Sequence, residues 1–277
     1  MEPRRRVVFC TYPSLYSDLV LHELLKSPQI EVVGVVVSTR ILRKDYGKWR
    51  ASVRQIQLSG LRYAAYLFAV TDLYRLLQTL WGKQTLFGVC RAKHVPVLET
   101  ADINEPATVT FLKVAQPDVM LSAHFNQLLA AEVLAIPGLA CLNIHPSLLP
   151  AFKGVDPAFY ALLRHAQETG VTVHLQDEQF DHGRILEQAR LQVRWHDSLL
   201  SLNVKLFKLG AMAAVRQIGA LASSTLGQEQ PPGGGYDSWP NPYDTRQFRR
   251  QRRYLRWREY AALVRGSMSP AREDSGK

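Results

Sequence analysis

Leu139-Ala140-Cys141-Leu142-Asn143-Ile144-His145-Pro146-Ser147-Leu148-Leu149-Pro150, with Gly154 shortly after, is the most informative stretch of the chain. Its apolar beginning, residues 139–144, predicts a buried strand. Pro146 and Pro150 fix their own φ and hold the residues before them out of the helical region, so an extended loop follows the strand. Asn143 and His145 stand two apart, and alternate residues of a strand point to the same side of a sheet. An amide and an imidazole therefore project together from the carboxyl edge, where open α/β sheets hold ligands. The loop beyond them offers backbone N–H and C=O groups to a flat heterocycle.

On either side of this stretch, β-like and helix-like patterns alternate. Residues 6–11 and 30–37 are compact apolar runs separated by a helical pattern at 15–25, the β-α-β order that starts a parallel sheet. Strands at 95–98 and 119–122 alternate with helices at 107–114 and 127–134. After the quoted stretch come a helix at 157–166, two strands at 171–175 and 185–193 that can pair, and a long amphipathic helix at 198–221 capped by Asp197 or Ser198. The reading is an α/β fold with a Rossmann-like, mostly parallel sheet, helices on both faces, a helical insertion after the second strand and a short C-terminal extension. The first strand-to-helix turn, residues 10–17, lacks glycine, so the G-x-G-x-x-G fingerprint is absent and a bound NAD is disfavoured.

The 277 residues, 47% hydrophobic and 21% charged, suffice for one large core and exclude a disordered chain. Residues 1–222 read as the main domain, with 39–83 as the insertion. The insertion opens with Arg40, Arg43, Lys44, Lys48, Arg50 and Arg54. It continues as helix, with Tyr63, Tyr66, Leu67, Val70, Tyr74, Leu77 and Leu80 at three- and four-residue steps, a face expected to dock on the body of the protein. The sharper alternatives are a lid, or a patch that rests on a membrane or partner. Residues 223–235, rich in Ser, Gln, Pro and Gly, read as a linker. Residues 236–277 form a basic, aromatic extension too short to fold alone, expected to pack on the main domain.

The net charge of +10 is concentrated there, in Arg246, Arg249, Arg250, Arg252, Arg253, Arg256 and Arg258. Such a tail attracts phosphate, whether on nucleic acid, a nucleotide substrate or anionic lipid, or simply forms a solvated face. No stretch reaches the ~18 apolar residues of a spanning helix, and the apolar run after the N-terminal arginines is too short for a signal peptide. Cys10, Cys90 and Cys141 lie far apart, which points to a reducing, cytoplasmic setting without disulfides. No ligand spacing suggests a metal site.

A second motif follows the first. Thr169-Gly170-Val171-Thr172-Val173-His174 reads as a strand feeding a loop that carries Asp181-His182-Gly183. Gly183 permits a turn with positive φ, so Asp181 can swing back toward His145. N-x-H-P-S-L-L-P, T-G-V-T-V-H and D-x-G in this order resemble the folate-dependent formyltransferases, which include the methionyl-tRNA, glycinamide ribonucleotide and sugar N-formyltransferases. The resemblance is strong over residues 118–193.

It implies 10-formyltetrahydrofolate as co-substrate and Asn143, His145 and Asp181 as catalytic residues. The chemistry is consistent with that. As an amine attacks the formyl carbon, Asn143 and a protonated His145 can donate to the developing oxyanion. Asp181 favours the charged imidazole and can accept the amine proton, directly or through water. Ser147 is expected to support the loop rather than act as a nucleophile.

By the same resemblance, Phe125, Leu128 and Leu129 cradle the pterin, with Ser147, Leu148, Leu149, Pro150, His174 and Asp177 as further cofactor contacts. Relatives commonly carry glycine where His124 stands and a basic residue near Gln127. His124, His165, His182 and His196 are read as structural or solvent-facing.

The glycine-free loop Thr11-Tyr12-Pro13-Ser14 speaks against a glycinamide ribonucleotide acceptor, since those relatives have a Gly-Ser-rich phosphate cradle there. The tail is shorter than the C-terminal barrel of the methionyl-tRNA enzymes and resembles the tails of sugar N-formyltransferases. The expected acceptor is a small amine, for instance on an amino sugar nucleotide. Two alternatives remain at this stage. One is a formyltetrahydrofolate hydrolase, although such enzymes carry an N-terminal regulatory domain and this chain begins directly with the sheet. The other is a non-enzymatic RNA- or membrane-binding module, against which the intact Asn143, His145 and Asp181 set speaks and which Phe248, Tyr254, Trp257 and Tyr260 among the arginines keep open.

Overall fold

Val7 and Phe9 alternate with Val8 and Cys10 along the first strand, and all four are sealed from water. A strand buried on both faces belongs at the centre of a sheet covered by helices on each side. The computed structural model, which describes residues 4–42 and 47–266, has that architecture. Its first part runs β1 (Arg5–Thr11), α1 (Leu15–Lys26), β2 (Ile30–Ser38), α2 (Lys48–Ser59), α3 (Leu61–Phe68), a π-helical turn (Ala69–Leu73), α4 (Tyr74–Leu80) and α5 (Leu86–Ala92). Next come β3 (Val97–Thr100), α6 (Pro106–Ala115), β4 (Val119–Ala123), α7 (Ala131–Leu134), β5 (Ala140–His145), β6 (Lys153–Gly154) and α8 (Pro157–Leu163). The chain continues through β7 (Glu168–Leu175), β8 (Ile185–Gln192), α9 (Leu199–Ala220), β9 (Tyr236–Asp237), α10 (Pro242–Gln251) and α11 (Trp257–Val264).

The main sheet has the order β3-β2-β1-β4-β5-β7-β8. It is parallel from β3 to β5, and β7 and β8 are antiparallel to their neighbours. Val7, Phe9, Val35, Val37, Leu121 and Ile144 point to the face covered by α1 and α9, whereas Val8, Cys10, Val36, Met120 and Cys141 meet α6 and α7. Chain order reverses between β1 and β4, so the carboxyl ends of β1, β4 and β5 lie at the switch point where such sheets open a crevice. α9 lies close on β5 and β7 because it presents Gly210: a Cβ there would stand 2.4 Å from Ile144 Cγ2 and 2.8 Å from Val171 Cγ2.

Serine pairs start two of these helices. Ser14 and Ser17 cap α1 reciprocally, and Ser198, rather than Asp197, caps α9 with Ser201. The helix expected at 127–134 is limited to Ala131–Leu134. Gln127 holds the preceding residues extended, accepting from the Ile103 N–H (2.6 Å) and donating to Ser38 Oγ (2.8 Å).

The insertion is broken into several helical pieces. Gly60, at φ +80°, separates α2 from α3. In the π-helical turn, the Thr71 hydroxyl returns to the Leu67 carbonyl at 2.7 Å, a back-bond that bends helices. Leu80 faces outward at 70% exposure, unlike the other residues of its expected face. Of the basic residues at the start of the insertion, Arg43 and Lys44 lie outside the described residues, as do positions 267–277 of the extension.

Two carboxylates, Asp156 buried and Asp18 half-buried, receive the docked face. Tyr63 donates to Asp156 (2.8 Å), while Tyr74 (3.0 Å) and Gln78 (2.8 Å) donate to Asp18. Tyr66 meets Tyr16 and accepts from Asn203. The C-terminal segment joins the same core: Phe248 stacks on Phe159 and Tyr254, and Tyr260 donates to the Ala69 carbonyl.

Burial pushes the Asp18 and Asp156 carboxyls up to about 6, against the hydrogen bonds they receive. A raised carboxyl leaves stability untouched below its unfolded value of 3.8 and removes it as pH rises from there to about 6. Asp156→Asn is not subject to that loss. Its unfolding free energy, relative to the parent, is therefore expected to rise by about 1.4 kcal/mol per pH unit across the window. Urea unfolding of both proteins at the two ends of the window measures this, and a difference that does not vary with pH would rule out an ionising Asp156.

Candidate active site

β5 carries Asn143 and His145 to the carboxyl edge of the sheet. The antiparallel register with β7 sets His174 opposite Asn143 and Thr172 opposite His145. Asp181 follows on the loop after β7, in the left-handed region at φ +56°. Gly183 lets that loop fold back, since a Cβ there would lie 1.8 Å from the Leu175 carbonyl oxygen. Asp181 Oδ1 thereby reaches His145 Nδ1 at 3.1 Å, and Oδ2 accepts from the Gly154 N–H at 2.9 Å.

Both partners are nearly closed to water, at 4% exposure for His145 and 9% for Asp181. His145 Nε2 faces the Phe152 carbonyl at 3.1 Å, so both ring nitrogens face acceptors and the doubly protonated ring satisfies both. Burial opposes that charge, but the Asp181 carboxylate and the hydrogen bonds outweigh it and hold the His145 pKa above its ordinary value. The reverse holds for Asp181, where burial would raise the carboxyl, yet His145 and the Gly154 N–H keep it below the usual range. The N–H groups of His145, expected to donate to a formyl oxygen, are thus both engaged, one by Asp181 and the other by Phe152, which stands at φ +54°.

Asn143 is oriented differently. Its Nδ2 lies 3.1 Å from His174 Nε2, and His174 Nδ1 lies 2.7 Å from the Leu175 carbonyl. Burial, followed by the neighbouring His145, lowers the His174 pKa to about 4. His174 is therefore neutral, with its proton on Nδ1, and accepts one amide proton of Asn143. The second amide proton of Asn143 remains for a ligand in the crevice that Asn143 lines.

That crevice is walled by Ser122, Phe125, Leu128, Gln176 and Phe180 besides Asn143, His174 and Asp181. Its volume is about 40 Å³, against about 540 Å³ for the open hollow that adjoins it along Gln176 and Gln179. Ser122 Oγ and Gln176 Oε1 are buried without a hydrogen-bond partner, so the walls pair unspent polar atoms with two aromatic rings. This combination suits a flat polar heterocycle, for which the crevice must widen.

Among the expected cofactor contacts, Phe125, Leu128 and His174 line the crevice, and Asp177 lines the outer hollow. Leu129 does not line it, being buried in the core beneath α7. Nor do Ser147, Leu148 and Leu149, which meet β7, or Pro150, whose carbonyl lies against Gly234. Ser147 Oγ donates to the Ala151 carbonyl (2.7 Å), Thr172 Oγ1 accepts the Leu149 N–H (3.0 Å), and Leu148 packs on Gly170.

Residues 223–235, read as a linker, run along the site. Gln230 Nε2 donates to the carbonyls of Asp181 (3.0 Å) and Gly183 (2.8 Å), and Gln228 exchanges both backbone hydrogen bonds with Ile185. Beyond them, β9 pairs with β6 beside Gly154, where a Cβ would stand 1.9 Å from the Asp237 carbonyl oxygen. Composition gave no signal for Gln230. Among the described residues, no three His, Cys, Asp or Glu side chains are grouped to hold a metal ion.

Residues 21–218 match the family model described as "Formyl transferase". A methionyl-tRNA formyltransferase of Roseiflexus sp. (strain RS-1) is 39% identical over 222 residues, which cover 80% of this chain and 58% of that protein. The chain thus spans under two thirds of that relative's length. A solved phosphoribosylglycinamide formyltransferase of Bacillus halodurans superposes with a TM-score of 0.55 at 20% identity, over 78% of this chain and 94% of its own. An N-formyltransferase of Helicobacter canadensis, solved with folinic acid and dTDP-3-aminofucose, gives 0.52 at 16% identity, over 85% and 71%. These two structures share the fold.

The charge on His145 rests on its partner. In the parent protein, His145 is expected to titrate above 6.5, the ordinary histidine value. In Asp181→Asn, burial dominates and the titration should fall below that value. Ring-proton NMR across pH follows this directly, and an unchanged midpoint in the variant would refute the pairing.

Proposed function

This chain belongs to the formyl transferase family, and we propose on that premise that it moves the formyl group of 10-formyltetrahydrofolate to the amine of a small acceptor. The observation that carries the reading is the meeting of three remote groups at the sheet edge: the oriented Asn143 amide, the His145–Asp181 pair and the crevice with unspent polar atoms beside them. The formylfolate named with the Helicobacter canadensis enzyme supports the donor.

The acceptor nitrogen forms a bond to the formyl carbon, and the carbonyl electrons move onto oxygen. Asn143 donates its free amide proton to that oxygen, and the His145 cation lowers its energy from behind. Asp181, with its charge kept by His145, takes the proton from the attacking nitrogen directly or through water. As the oxygen electrons return, the bond to folate N10 breaks, and the proton passes to that nitrogen. Formylated amine and tetrahydrofolate leave.

For the acceptor, we favour an amino sugar nucleotide. The hydroxyls of Ser14 and Ser17 cap α1, so the first turn offers no glycine cradle for a ribonucleotide phosphate. Methionyl-tRNA is the second reading, supported by the 39% identity to the Roseiflexus enzyme. In both, residues 1–222 hold the transfer chemistry, and the extension from residue 236 flanks the acceptor side through β9.

Mass spectrometry of amines incubated with the protein and 10-formyltetrahydrofolate, with a water-only lane, should show one formyl unit gained by an acceptor. Formate in the water lane alone would indicate a hydrolase. His145→Ala and Asp181→Asn should each lower turnover by ~10²–10⁴-fold, and Asn143→Ala by ~10²–10³-fold. Parental turnover in His145→Ala would end this assignment.

A further inference from the structure

Leu61, Ala65, Phe68, Leu76 and Leu80 recur along one side of α3 and α4, and this side faces away from the protein. Leu61 is 68% exposed, Phe68 53%, Leu76 54% and Leu80 70%. The stripe is about 28 Å long at the helical rise of ~1.5 Å per residue. The opposite side of the same helices carries Tyr63, Tyr66, Tyr74 and Gln78, which dock onto Asp156, Tyr16 and Asp18. The outward leucines are therefore not left over from core packing, and Asp72 is the one charge among them.

The surroundings are basic. Residues 47–84 contain six Lys or Arg and one acidic residue. Arg62 and Lys83 are exposed, and neither makes an ion pair among the described residues. Arg265 lies over the exposed Trp81 ring, 5.8 Å from its centroid. α11, which packs beside α4, adds Arg258 and the 69% exposed Trp257.

We propose that this face rests on an anionic lipid bilayer, with Leu61, Phe68, Leu76 and Leu80 entering the acyl boundary and Arg62, Lys83 and Arg265 meeting headgroup phosphates. The combination of an apolar helix side, flanking cations and tryptophans at the rim is what such a surface binds. Nucleic acid fits less well, because bases stack on rings and gain little from aliphatic side chains. A second copy of the chain would set this cationic face against another of the same sign. The contact is superficial, since no helix of the described residues is long and apolar enough to cross a membrane. The proposal stands independently of the transfer reaction.

The test is sedimentation of the full chain with vesicles of phosphatidylcholine alone or of roughly three parts phosphatidylcholine to one part phosphatidylserine. The mixed vesicles should bind at least about tenfold more strongly, and added salt should weaken that binding. Phe68→Glu with Leu80→Glu should reduce it by about tenfold or more, as should Arg62→Gln with Lys83→Gln, with unchanged thermal unfolding in both. The proposal is overturned if the mixed vesicles leave the protein in solution, if both vesicle types bind alike, or if the double glutamate variant binds like the parent. It is equally overturned if size exclusion shows a dimer that the glutamates dissolve, or if an RNA oligonucleotide binds the parent and is lost in that variant.

Discussion

A carboxylate and an imidazole, each almost closed to water, face one another across 3.1 Å. Burying either charge alone would cost several kcal/mol, so the pair persists only where backbone groups complete its hydrogen bonds. Gly154 supplies an N–H to Asp181, and Phe152 supplies a carbonyl to His145. Both contacts require unusual backbone: Phe152 at φ +54°, Gly154 at +118° and Asp181 at +56°. For non-glycine residues such conformations cost ~1–3 kcal/mol each and persist only when over-determined. The structure restrains them from three sides, by Ser147 on the Ala151 carbonyl, β9 against β6, and Gln230 on the Asp181 and Gly183 carbonyls.

The additions to the sheet converge on the same loop from the other side. Asp156, just beyond Gly154, caps α8 by accepting the Phe159 N–H and also accepts from Tyr63 of the insertion. Phe159 stacks on Phe248 of the extension, and Tyr63 and Tyr66 pack against Tyr254. Insertion, loop and extension therefore share one buried centre. The Tyr260 bond to the Ala69 carbonyl also places α11 beside the insertion, so the cationic surface is composed of both.

The strands were legible because buried parallel strands are written as continuous runs of Val, Ile and Leu, and Asn143 with His145 because a period of two and two prolines leave little freedom. The turn back toward His145 was legible at Gly183, but the positive φ expected there falls on Asp181 itself, at +56°. Contacts set across long stretches of chain were not legible. Leu128 lines the crevice and Leu129 the core because Gln127 is tied to Ser38 and Ile103, which removes the expected helix. The Ser147–Pro150 loop turns toward β7 because Thr172, 23 residues beyond Leu149, takes its N–H. Gln230 sits in a stretch whose Pro and Gly content resembles a tether, yet it grips Asp181 49 residues back. His124, too, shows a conformation not legible in the sequence: it adopts φ +51°, which glycine reaches without strain, and its half-buried ring, with pKa lowered to about 4 by burial, is held near Ser14 Oγ.

The small inner crevice and the fixed pair belong to one loop, which determines how the site can admit a ligand. Gln176 is anchored by its N–H to the Cys141 carbonyl, and Asp181 by Gly154, His145 and Gln230. Between these anchors, the side chains of Gln179 and Phe180 are exposed and make no hydrogen bond among the described residues. Both also form part of the crevice wall. This part of the wall is therefore free of the hydrogen bonds that fix the pair, and it borders the outer hollow at Gln179. The inner end of the crevice, at Ser122 and Asn143, and the carboxylate of Asp181 belong instead to the fixed part, so one loop joins a restrained end that carries the charge to a less restrained wall that faces solvent.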